Sequence, residues 1–95
     1  MYKDYALLFK ALSDENRLKI LELLVKGETC GCTLIDKLTI TQPTLSYHLK
    51  ILTDVGLTKA HKDGVWNKHT VDKKKIDDLI QFLSDLKNME EVCNT

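Results

Sequence analysis

Apolar residues recur at helical spacing over most of this chain, and the breaks in that pattern mark its turns. Tyr5, Leu8, Phe9 and Leu12 repeat at i, i+3, i+4 and i+7, which predicts a first helix over about Lys3 to Leu12. Ser13 is expected to cap a second helix, with Asp14 and Glu15 placed against the positive end of its dipole. Leu18, Leu21, Leu24 and Val25 form the expected buried face, and Gly27 ends the helix. A third, short helix is predicted over roughly Thr29 to Leu38, with Leu34, Ile35 and Leu38 facing inward. After a tight turn at Thr39-Ile40, Thr41 should cap a fourth helix. Pro43 fits its first turn, where the missing N–H has no partner to lose, and Gly56 stops it. A short helix, a brief turn and a longer helix read together as a helix-turn-helix over about residues 29–55.

From Leu57 to Asp72 the spacing changes. Thr58, Val65, Trp66, Thr70 and Val71 favour strands, and Asp63-Gly64 is a hairpin turn signal, so a two-stranded wing is expected over about residues 57–72. With Asp63-Gly64 as the two-residue loop, His61 faces Trp66 rather than His69, and that register does not support a paired-histidine metal site. Helical spacing then returns from Lys73 to about Glu91, where Ile76, Leu79, Ile80, Leu83 and Leu86 share a stripe that Phe82 and Met89 widen. The fold class is mainly α with a two-stranded β wing, a winged helix-turn-helix in the order α-α-α-α-β-β-α, read as one domain over residues 1–95. A single thin core cannot absorb the stripes of the first and last helices. Residues 3–12 and 73–91 are therefore expected to hold a homodimer together.

Composition narrows the class. At 43% hydrophobic and 29% charged the chain has the make-up of a folded globular domain. Its N-terminus shows no signal-peptide core and no apolar run long enough to span a membrane, so a cytoplasmic protein without a membrane partner is expected. There is no Gly-rich phosphate loop, no nucleophile with an evident histidine partner and no zinc-hydrolase motif, so an enzyme is not expected. The formal charge of zero hides an uneven distribution. Residues 37–75 hold eight lysines against three aspartates, whereas residues 76–95 hold one lysine against five acids. A basic middle third can face phosphates while the whole chain stays neutral.

That middle third contains the fourth helix and the wing. With Leu45, Leu49 and Leu52 turned inward, the outward arc of the helix carries Ser46, Tyr47 and Lys50. Thr44 lies on its flank, Gln42 in its first turn and His48 nearer its inner edge. These six, together with Lys62 and Lys68 of the wing, are the candidate contacts to double-stranded DNA. Gln can bond adenine bidentately, Ser and Thr hydroxyls serve bases or phosphates, and lysines neutralise the backbone. A polar helix face alone would equally suit a solvated surface or a protein-interaction module. Coupled to a basic hairpin it points to DNA.

The run Ala11-Leu12-Ser13-Asp14 through Arg17-Leu18, then Thr41 through Lys50, then Gly56-Leu57 and the wing, resembles the ArsR/SmtB family over nearly the whole chain. The resemblance implies dimeric repressors on an inverted-repeat operator, released when a metal or metalloid ion binds, and it is nearest to the arsenic-responsive branch. It also places a Cys-x-Cys ion site where Cys30-Gly31-Cys32 lies. The pattern's following acidic residue is Thr33 here, and its third thiol is Ile35. Thiolates select soft ions, so arsenite or antimonite is the expected inducer, with cadmium or lead as alternatives; DNA binding itself needs no cofactor. On a regular helix residues i and i+2 project about 200° apart, so the pair can share an ion only if the helix start unwinds. Cys93 is the candidate third sulfur. A thiol redox switch on the same fold is the other reading of the pair. The family's Asp/His zinc site is not expected, because residues 73–91 lack histidine.

Overall fold

A computed structural model describes residues 2–89 of the chain. Five helices and one hairpin follow in the expected order: α1 Tyr2–Leu12, α2 Glu15–Val25, α3 Gly31–Lys37, α4 Gln42–Asp54, β1 Thr58–Asp63, β2 Trp66–Val71 and α5 Lys73–Asn88. The core forms where α1, α2, α3 and α4 converge. Ile20, Leu34, Leu45, Leu52 and Leu57 are its most deeply buried side chains. Leu57 follows Gly56, whose φ of +82° turns the chain out of α4, and it carries the core to the foot of the wing. Thr41 caps α4 as its position predicts, its Oγ1 accepting from the backbone N–H of Thr44 at 3.4 Å.

Four local expectations are corrected. Asp14, not Ser13, caps α2: its carboxylate accepts from the N–H groups of Asn16 and Arg17 at 2.8 and 3.1 Å, while the Ser13 hydroxyl donates back to the Lys10 carbonyl at 2.7 Å. A carboxylate offers stronger acceptors to those orphan donors than a hydroxyl does. In the same helix Ile20 joins Leu21 and Leu24 inside, whereas Leu18 and Val25 are exposed. Third, α3 begins at Gly31, and Cys30 is its extended N-cap (φ −92°, ψ 137°) rather than a helical residue. Fourth, the hairpin loop is Gly64-Val65, because Asp63 pairs with Trp66. His61 therefore faces Lys68, and His69 faces Ala60. Gly64 at φ +64° takes the left-handed position such a turn needs.

The molecule is long for its size. Its principal extents are 59 × 25 × 22 Å and its radius of gyration is 15.9 Å, against about 12 Å for a compact chain of this length. α1 and α5 lie together, with Tyr5 stacked on Phe82 at 4.4 Å between ring centroids and Phe9 tilted on the same ring at 6.0 Å. Beyond that contact Ile80, Leu83, Leu86 and Met89 remain exposed.

Candidate nucleic-acid interface and thiol site

α4 presents its first turn and one face to solvent. Gln42, Ser46, Tyr47 and Lys50 are exposed there, and the Lys50 ammonium lies 3.0 Å from Asp54. Thr44 is half-buried, and its Oγ1 accepts from the Thr41 hydroxyl at 2.9 Å, so it belongs to the cap as much as to the outer face. In the wing Lys62 is exposed, and Lys68 is 2.9 Å from Asp63 across the hairpin. Asp63 is held below the ordinary carboxylate range by the Lys68 hydrogen bond and charge.

His48 is corrected from the sequence reading. It is 6% exposed and turned into the protein. The Arg17 guanidinium, which can only donate, bonds its Nδ1 at 3.0 Å, and its Nε2 lies 4.0 Å from the Asp14 carboxylate. Arg17 Nε also donates to the Ala11 carbonyl at 2.6 Å. One cluster thus joins the end of α1, the start of α2 and the middle of α4. Burial raises the Asp14 carboxyl, but the Arg17 and Asn16 N–H bonds and the charges of His48 and Arg17 together bring it below its ordinary value. Sequence reading missed Arg17, since its partners stand far apart along the chain.

The thiols of Cys30 and Cys32 lie side by side, 2.7 Å between sulfurs, without any helix unwinding. Cys30 points differently from a helical residue because its backbone is extended, and that replaces the expected unwinding. A hydrogen bond from Cys32 holds the Cys30 thiol below the ordinary range, with help from the backbone N–H groups of Cys32 and Thr33 and from the charge of Lys68. The same bond raises Cys32. The pair thus has one easily ionised member and one proton donor. Cys93 lies outside the described residues.

The segment around the first thiol is fastened to the wing. Cys30 forms an antiparallel bridge with Lys68, and the His69 N–H donates to the Thr29 carbonyl at 3.0 Å. A cleft of about 250 Å³ opens between this segment, α4 and β2, lined by both thiols, Gln42, Ser46, Asn67 and His69 among others. Burial, and secondarily the charge of His61, lowers the His69 pKa, and its Nδ1 is shielded from solvent with no hydrogen-bond partner. Sequence reading weighed His69 only as a partner for His61, in a register that does not support a paired-histidine metal site. The long-range bridge that brings it beside the thiols has no local signal.

Among the described residues no helix is long and apolar enough to cross a membrane. The pattern of the bacterial regulatory protein, arsR family, matches residues 14–59. The arsenical resistance operon repressor of Staphylococcus aureus is 39% identical over 92 residues, 97% of this chain and 88% of that protein. The fold is similar to an ArsR-like transcriptional regulator from Rhodococcus sp. RHA1, with a TM-score of 0.83 at 26% identity over 90% of this chain and 81% of that one. It is also similar to the homodimeric winged helix-turn-helix DNA-binding domain of Mb0332 from Mycobacterium bovis, with a TM-score of 0.73 at 26% identity over 94% and 84% of the two chains. These relatives are regulators, not enzymes, and with its winged helix-turn-helix the chain belongs to the arsR family of bacterial transcriptional regulators.

Proposed function

We propose that the chain is a homodimeric repressor of a soft-ion resistance operon, bound to an inverted-repeat operator through α4 and the wing and released when arsenite, antimonite or another soft ion binds Cys30 and Cys32. Gln42, Ser46 and Tyr47 read or line the major groove, and Lys50, Lys62 and Lys68 neutralise phosphates. Two-fold symmetry predicts half-sites one helical turn apart, about 34 Å, or a multiple of that.

The observation that carries the switch is the thiol pair itself. Two thiolates about 2.3 Å from one ion at a near-tetrahedral angle stand roughly 3.8 Å apart, a separation open to two thiols that already lie side by side. One of them leads into α3, which packs against α4, and the other is laddered to the wing. An ion held by both thiols therefore ties α3 to the wing, and its capture is felt at both DNA-facing elements. By linkage the ion weakens operator affinity by the factor with which DNA weakens ion affinity, about 5- to 150-fold for typical couplings.

Fluorescence anisotropy of the reduced protein on its operator tests this. Cys30→Ser and Cys32→Ser should each keep DNA affinity and abolish release by arsenite. Release that persists in the double variant overturns the sensor. A second reading is favoured by the same adjacency of the thiols: peroxide takes two electrons from the pair, with the two thiol protons, and is reduced to water as a disulfide closes in place of an ion. Mass measurement after peroxide, with and without prior arsenite, separates the two.

A further inference from the structure

We propose that Arg17 is a positioning residue for DNA recognition: it holds α4 through the neutral His48 ring, and a second proton on that ring releases the helix, so that operator reading fails in acid. The inference rests on α4 being the DNA-reading helix of a dimer, and it adds the contact that fixes that helix and the event that frees it.

The Arg17 guanidinium bridges two elements. Its Nε donates to the Ala11 carbonyl at the end of α1 at 2.6 Å, and its Nη1 meets His48 Nδ1 in the middle of α4 at 3.0 Å. The backbone N–H of Arg17 is itself held by the Asp14 carboxylate at 3.1 Å, so the side chain leaves from a fixed point. Arginine only donates, so Nδ1 must accept, and the ring proton belongs on Nε2, which lies 4.0 Å from Asp14.

The ionisable groups that face the ring are Arg17 and Asp14 at the start of α2, and Tyr47 on α4 itself at 5.4 Å between ring centroids. A second proton must sit on Nδ1. There it points one donor at another and one positive charge at another, while Asp14 attracts the ring from the opposite nitrogen. The Arg17 bond is lost and the bridge opens.

The far end of that bridge makes the loss matter for reading DNA. α1 stacks on α5 through Tyr5, Phe9 and Phe82, and these two helices form the proposed subunit interface. The distance between the two α4 helices of a dimer has to match the spacing of the half-sites, and Arg17 ties each α4 to that interface. Phosphates recur along any duplex, so contacts to random sequence do not need the match. Exposed Tyr47 adjoins the ring, so movement of His48 also reaches the outer face of α4.

The test measures anisotropy of the reduced full chain across pH on two duplexes, one selected by the natural chain from a randomised pool and one of random sequence. Circular dichroism checks the fold at each pH, and long-range 15N spectra follow the His48 ring. Acid adds positive charge that strengthens phosphate contacts to any sequence, so the ratio of the two affinities is the readout. Near neutrality the spectra should show a bare, hydrogen-bonded Nδ1 and a protonated Nε2. As His48 takes up its second proton, the preference for the selected duplex should fall by at least about tenfold, the lower end of what a hydrogen bond to a charged group is worth. Arg17→Ala and His48→Ala should lose that preference already at neutral pH. His48→Asn, whose Oδ1 accepts near the place of Nδ1 and does not titrate, should restore most of it with a level pH profile, which a merely structural role would not produce. If the variants fail to fold, the spectra and pH profile of the natural chain decide. A proton on Nδ1 near neutrality, a preference that stays level as the ring charges, or a His48→Asn chain as acid-sensitive as the natural one overturns the proposal. A natural chain that selects no sequence at neutral pH marks failure of the DNA-reading function itself, and the inference falls with it.

Discussion

α4 and α5 are both amphipathic, and they differ in where the apolar face goes. In α4 that face is filled from within the chain: Leu45, His48, Leu49 and Leu52 are all buried, which leaves the polar face free to meet a partner. In α5 Leu79 is the one buried residue, and Ile80, Leu83 and Leu86 remain 58, 51 and 52% exposed. The chain's own core therefore positions α4, whereas beyond the contacts of Leu79 and Phe82 the α5 stripe stays uncovered among the described residues. On the proposed function, α4, held from inside, is the recognition helix, and α5, with its uncovered apolar face, is part of the subunit interface.

The largest effect should come from charging the uncovered face. A buried leucine contributes about 1.5–3 kcal/mol, and in a two-fold interface each substitution counts twice. Leu83→Glu with Leu86→Glu should convert the dimer to a monomer in sedimentation velocity and abolish tight operator binding, with little change in the helical content of each subunit. A natural chain that already sediments as a monomer at micromolar concentration would erase the contrast between the helices. On the α4 side, Leu52→Ala opens a cavity in a fully buried position, and unfolding in urea should show a loss of about 2–5 kcal/mol. The matched change Leu83→Ala should weaken association more than it weakens the fold.

The contrast between these helices was largely legible in the sequence. The stripe of α4, its Thr41 cap, the Gly56 stop and the wide stripe of α5 follow from local periodicity, and each stands where that predicts. What periodicity could not give was decided by contacts between distant residues. His48 lies at the edge of the inward arc, and only Arg17 and Asp14, about thirty positions earlier, draw it inside. The thiols looked opposed because Cys30 was counted as helical, whereas it is the N-cap of α3 and takes the extended backbone usual for a cap. The one-residue error in the hairpin loop came from Asp63-Gly64 satisfying the same turn preference as Gly64-Val65.

A smaller effect probes how firmly α4 is held. Asp14→Ala removes the α2 cap and the acidic partner of His48, for a cost of about 1 kcal/mol, up to about 2. Asp14→Asn keeps an acceptor at the cap and removes only the charge. Because the folded pKa of Asp14 is depressed, the charge stabilises at pH values above the unfolded carboxyl pKa of about 3.9. That contribution fades as pH falls through the lower folded value. The stability gap between the natural chain and Asp14→Asn in urea should thus be constant near neutrality and shrink toward about pH 3. A gap that widens with acid would mean the His48 cluster does not depend on this carboxylate.

The smallest effect lies on the outer face that the buried side of α4 makes available. Lys62 is exposed on the wing, whereas Lys50 and Lys68 already sit beside Asp54 and Asp63 and must exchange those partners for phosphate. Exposed pairs of this kind are worth about 0–1 kcal/mol, so the exchange costs little, but it blunts the gain. Each neutralised phosphate contributes about −0.9 to the slope of log K against log salt. Lys62→Ala should therefore reduce that slope by about one to two, counting both subunits, and weaken binding to operator and random DNA alike. Lys50→Ala and Lys68→Ala should change operator affinity less than Lys62→Ala, because each also releases an acidic partner from its ion pair. Ser46→Ala and Gln42→Ala should leave the slope intact and blur the preference for operator over random sequence. A salt response unchanged by all three lysine substitutions would place the phosphate contacts elsewhere, and the polar face of α4 would then be a solvated surface rather than the counterpart to the apolar face of α5.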